Sequence, residues 1–248
     1  MTNVAAVRSP TAAAGGVLSG GATADRSGAF DVAAAESLAR SLLLDVGTRL
    51  AHTWRVADQA RLAQGLLPEP WRSALVPAAW LHDVGYCGDL AAVGFHPLDG
   101  ARYLHDRGWS AEVCRLVAWH TTAEQEARLR GLHSCFEAEF TSPPEWVADV
   151  LAWADLTSSP AGERWSPQER LAEILHRYSR EAIVHQAVTA SLPGLLEAVT
   201  AVQRCVSDLS ADVGGCAGSV YAVADAEALG GVHVEGLDVG DGHPANLA

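Results

Sequence analysis

An imidazole and a carboxylate removed from water side by side are satisfied together by a divalent cation better than by any single side chain. The segment Trp80-Leu81-His82-Asp83-Val84-Gly85 creates that situation, because it sets His82 directly beside Asp83 at the end of an otherwise apolar run. A second pair, His105-Asp106, stands before Arg107 and Gly108 and reads as a solvated surface pair at a helix end. His52, His120 and Asp155 behave like His82: each continues the apolar stripe of a different helical pattern, while His96 opens another helix beside a loop. One buried histidine ordinarily finds a backbone partner. Four polar residues on the inward stripes of separate helices need a shared explanation, and a metal centre held by facing helices is the economical one.

The elements that must position these residues are helical. Asp31 suits an N-cap, and Leu38, Leu42 and Val46 follow at helical spacing. Residues 50–66 carry His52, Val56, Ala60 and Ala63 on one stripe, with Gly65, Pro68 and Pro70 marking the end. Residues 71–84 predict a helix, interrupted or kinked near Pro77, that points His82 inward and is stopped by Gly85. His96 and Pro97 open a helix running to Gly108, and Ser110 caps the next, whose stripe is Val113, Leu116, Val117 and His120. Residues 124–130 read as an exposed charged segment. In a helix over 145–156, Val147, Leu151 and Asp155 share a face, so a carboxylate stands where periodicity asks for core. Ser166-Pro167-Gln168-Glu169 is a capping box, and two further helices, 181–192 and 193–209, complete the domain. No alternating strand pattern is present. The expectation is an all-α bundle of eight or nine helices over residues 31–209, between a disordered tail at 1–30 and a flexible one at 210–248.

In this order and context, His52, His82-Asp83 and Asp155 resemble the HD-domain superfamily of metal-dependent phosphohydrolases, and Leu81-His82-Asp83-Val84-Gly85 is similar to its core signature. His96, within Gly94-Phe95-His96-Pro97-Leu98-Asp99-Gly100, and His120, within Val117-Ala118-Trp119-His120, match the two additional histidines of its binuclear members. The resemblance covers residues 35–180. It implies one metal bound by His52, His82, Asp83 and Asp155 and a second bound by Asp83, His96 and His120, with Asp83 bridging. Such ligands suit Fe, Mn, Co, Ni or Zn. Two cations roughly 3.5–4 Å apart stabilise both the attacking and the leaving oxygen of a phosphoester. Many relatives carry Lys shortly after the His-Asp pair, whereas this chain has Tyr86 and contains no Lys at all. Any phosphate clamp is therefore Arg, and Arg55, one turn beyond His52, is the expected catalytic companion of Asp83. Trp119 stands where some relatives have another histidine, which makes the pocket more apolar, and Thr121 and Thr122 read as a helix cap.

Charge and composition narrow the function classes. A net charge of −13 without a basic cluster argues against nucleic-acid binding, which needs grouped cationic side chains on phosphates. No run of 18 apolar residues points to a membrane span. The five cysteines form no Cys-x-x-Cys and are odd in number, so neither a zinc ribbon nor a disulfide framework is expected, and a reducing cytoplasm fits. The expected substrate is a small phosphomonoester or phosphodiester, a nucleotide first; the oligomeric state is not readable. Two other classes stand beside this reading. A mixed-valent di-iron oxygenase would use the same ligand types and be marked by oxygen consumption with iron alone. A non-catalytic helical module would melt identically with and without metal.

Overall fold

The computed structural model describes residues 31–213; the readings of 1–30 and of 214–248 as tails lie outside them. Ten α-helices build an all-α bundle: α1 (Val32–Leu43), α2 (Arg49–Ala63), α3 (Trp71–Leu81), α4 (His96–Asp106), α5 (Ala111–Ala118), α6 (Ala123–Leu129), α7 (His133–Glu139), α8 (Glu145–Leu156), α9 (Pro167–Arg177) and α10 (Ile183–Val213). A single isolated β-bridge, Ser158 to Arg164, is the only extended pairing among the described residues. Three caps form as their residue types dictate. Asp31 accepts from the amides of Ala33 and Ala34, Ser110 accepts from that of Val113, and Ser166 and Glu169 cap α9 reciprocally.

α3 is the axis of the bundle and packs against α1, α2, α5 and α8. Its side chains from Ala74 to Leu81 are all buried, which is why it is apolar on every side rather than striped. The helix runs through Pro77 without interruption. Losing one helical hydrogen bond costs about 3 kcal/mol, and burial of Trp80, Leu75 and Leu81, at roughly 1.5–3 kcal/mol for each large side chain, outweighs it. The same balance joins the two C-terminal helices expected at 181–192 and 193–209 into α10, which passes through Pro193. Val188, Leu192, Leu195, Val199, Val202 and Val206 keep one continuous apolar stripe across the proline and pack into the core. Residues 124–130 are not a purely exposed segment. They form most of α6, with Glu126 and Ala127 buried. No helix among the described residues is long and apolar enough to cross a membrane.

Candidate metal centre

Five elements deliver the polar intrusions to one place. α2 carries His52, the end of α3 presents His82 and Asp83, α4 begins with His96, the turn after α5 holds His120, and α8 contributes Asp155 near its end. α5 stops at Ala118, so His120 continues its inward direction from a turn and not from the helix itself. His82 and Asp83 are 1% and 2% exposed. One nitrogen each of His52 and His82 and one oxygen of Asp83 lie within 4.8 Å of one another, and so do donor atoms of Asp83, His96 and His120. Asp83 is the shared member. Asp155 falls outside both sets, but its Oδ1 is 3.0 Å from His52 Nε2.

Hydrogen bonds on the outer side of the rings fix which nitrogen faces inward. A carbonyl can only accept, so Nδ1–H of His52 donates to Ser159 O (3.2 Å), that of His82 to Ala79 O (2.9 Å) and that of His120 to Val117 O (2.7 Å). Each Nε2 then turns a lone pair toward the cluster, the arrangement in which a ligating imidazole is held by its other nitrogen. His82 Nε2 is buried without a hydrogen-bond partner, 3.6 Å from Asp83 Oδ1. His52 Nε2 meets a carboxylate oxygen, and His120 Nε2 meets His96 Nε2 at 3.1 Å. Acceptors facing one another inside a protein need a proton or a cation between them. The donor set therefore fits divalent metal, with nitrogen and carboxylate ligands of the type that Fe, Mn, Co, Ni and Zn accept.

Electrostatics agree with ligand-ready protonation states. Burial by itself would raise the Asp83 carboxyl, but the Arg49 guanidinium and the imidazoles of His82, His96 and His52 hold it well below the usual carboxylate range. Asp155 is likewise driven down against burial, chiefly by a proton shared with the His52 imidazole beside it, a place that a cation can take instead. Burial lowers His96 and His120, and neighbouring imidazoles push them further toward the neutral form.

Arg55 does not reach this cluster. Its Nε donates to Gly162 O (2.8 Å) and its Nη1 to Asp58 (2.7 Å), so its guanidinium straps the 159–162 loop to α2. That loop supplies the Ser159 carbonyl that orients His52, which makes Arg55 a support of the site and not its clamp. The guanidinium on the cluster belongs to Arg49, whose Nη1 donates to Asp83 Oδ2 at 2.7 Å. Both arginines stand three residues from His52, and the signal that separates them, the position of Gly162 O, is long-range. Thr121 also departs from its expected capping role. Its hydroxyl donates to Asp155 Oδ2, and its φ of 49° makes it the one non-glycine residue with positive φ among those described. A β-branched residue is strained there, and such strain persists where surrounding contacts impose it. Gly85 does not end α3 by a left-handed turn. It is glycine for space, since a Cβ there would lie 2.0 Å from His96 O.

The cluster lines a cleft together with Arg49 and with Arg170 and Arg177 of α9, and Leu171, Ile174, Val184 and Val188 give the same cleft an apolar wall. A family model described as HD domain matches residues 49–178, more than half of the chain, from the start of α2 to the end of α9. No curated protein and no solved structure shows a match.

Proposed function

The chain belongs to the HD-domain family, within the metal-dependent hydrolase superfamily, and from that premise we propose that it hydrolyses a small phosphoester, nucleotides being the first class to test. The observation that carries this reading is the pair of donor sets sharing Asp83 in a cleft that is also lined by Arg49, Arg170 and Arg177. His52, His82 and Asp83, with Asp155 against His52, would hold one ion, and Asp83, His96 and His120 the other. When bound, divalent transition-metal ions supply a water acidic enough to attack phosphorus near neutral pH and positive charge for the phosphoryl oxygens.

The chain's own groups do the remaining work. The Ser159, Ala79 and Val117 carbonyls keep three rings from rotating as substrate enters. Arg49 neutralises the outer oxygen of Asp83 and, lying on the cleft surface, is the guanidinium placed to orient a phosphoryl oxygen in a chain without lysine. Arg170 lines the same cleft with its Nη1 held by Glu173, a fixed positive charge near Asp155. The apolar wall excludes bulk water and suits the less polar half of a phosphorylated molecule, such as a nucleoside. The test is phosphate release from a panel of nucleotides and other phosphoesters with Mn, Fe, Co or Ni. Release that disappears in Asp83→Ala supports the reading; no release from any member of the panel with any of these metals contradicts it.

A further inference from the structure

We propose that Tyr86 is a positioning residue for the second ion, its ring held between His96 and Arg49 so that it fixes the Asp83–His96–His120 donor set; this rests on the two-ion reading above. Three of the four imidazoles are anchored by a backbone carbonyl, and His96 is the exception. Among the described residues no carbonyl accepts from its Nδ1. The His96 ring instead stacks on Tyr86 with centroids 3.9 Å apart and planes 21° from parallel. Arg49 Cζ lies 3.6 Å from the centroid of the same Tyr86 ring. Two planar groups this close to one centroid cannot share a face, so they occupy opposite faces, and Arg49 passes on to Asp83 Oδ2.

A disturbance at Tyr86 thus reaches His96 directly and Asp83 through Arg49, two of the three donors of the second set. In the first set it reaches only the shared Asp83. The backbone is built for this contact. Tyr86 closes the 3-10 turn Val84–Tyr86 directly after Asp83, and Gly85 lets that turn lie against the first turn of α4, where a Cβ would come within 2.0 Å of His96 O and 2.8 Å of Gly100 N. The Tyr86 hydroxyl has no hydrogen-bond partner among the described residues, so the flat ring and not the phenol does the positioning. Outer groups that orient a ligating histidine are worth on the order of ten- to a hundredfold in metal affinity.

The experiment is titration of the full-length, chelator-stripped chain with Co(II) against a chromophoric chelator, read by stoichiometry and by the visible Co(II) spectrum, with circular dichroism as the check on folding. Wild type is expected to take up two ions. Tyr86→Phe keeps both at wild-type affinity. Tyr86→Leu keeps the first and weakens the second by about ten- to a hundredfold, and Tyr86→Met, which fills the space without a flat face, does the same. The proposal is overturned if Leu and Met variants bind the second ion as wild type does, if the Phe variant loses it, if folded variants weaken both ions equally, or if wild type binds a single ion. Should Tyr86→Leu fail to fold, the Phe and Met variants decide. A wild type that binds two ions yet hydrolyses no phosphoester would defeat the proposed function and leave the role of Tyr86 standing.

Discussion

The pattern His-Asp-x-Gly occurs twice, at residues 82–85 and 105–108, each time where a helix ends. In both pairs the nearest imidazole nitrogen is 3.6 Å from the nearest carboxylate oxygen. The surroundings differ completely. Side chains of the second pair are 72% and 81% exposed, those of the first 1% and 3%. Water satisfies His105 and Asp106, whereas His82 and Asp83 meet only other imidazoles, Arg49 and a carbonyl. The glycines differ as well. Gly108 has φ of +78°, its amide bonds His105 O, and a Cβ there would meet open space, so it is a C-cap chosen for conformation. Gly85 is chosen for the room it leaves against α4. The same four-residue pattern thus becomes a ligand set or a surface helix end according to what the rest of the fold brings to it.

The two pairs should separate under substitution, most strongly at the carboxylates. Asp83→Ala is expected to reduce phosphate release to background and remove the uptake of both ions, while Asp106→Ala matches wild type in both assays; equal effects would erase the distinction. At the glycines, Gly85→Ala places a methyl on the His96 carbonyl and should destabilise by about 3 kcal/mol or more in urea melts. Gly108→Ala meets only the left-handed backbone penalty, about 1–2 kcal/mol.

The two arginines flanking His52 extend the comparison. Arg49→Met is expected to lower kcat on the order of a hundredfold, the usual effect of removing one donor aimed at developing negative charge. Arg55→Met should leave kcat near wild type and lower stability by roughly 1 kcal/mol through the lost loop strap.

The smallest effect concerns a carboxylate that no cation neutralises among the described residues. Asp149 sits on α8 with Asp155, but burial, with Glu145 adding to it, pushes its carboxyl up to about 6. A folded value above the unfolded one means stability that is fully present below the unfolded value near 3.8 and is lost as pH rises through 6. Asp149→Asn should remove that loss, a gain of about 1 kcal/mol at pH 8 and none at pH 3 once solvent screening of this half-buried group is allowed for. Asp83 and Asp155, held low by their neighbours, lie on the other side of that contrast.

What was legible in the sequence was local. Ser110, Asp31 and the Ser166–Glu169 box announce their helix starts because capping needs only a few consecutive residues, and α8 has the bounds its periodicity suggests. The inward position of His52 follows from the stripe that its own helix defines, and that of His82 from the wholly apolar run it ends. What was not legible depends on partners far along the chain. The choice of Arg49 over Arg55 is made by a loop more than a hundred residues away, and the role of Gly85 by the backbone of α4. The strained φ of Thr121 follows from no propensity, and the passage of α10 through Pro193 is decided by the core beneath it.

The central claim, that separate helices converge on sites for metal ions, is tested most directly by melting the chelator-stripped full-length chain with and without Mn(II). Ligand that binds only the folded state stabilises it, by about 2.7 kcal/mol at a hundred times Kd for one site. The melting temperature should therefore rise with Mn(II) in wild type and in Asp106→Ala, and stay flat in Asp83→Ala. Identical wild-type melts with and without Mn(II), Fe(II), Co(II), Ni(II) and Zn(II) would contradict the account and leave the cluster as an unusually polar part of a helical core.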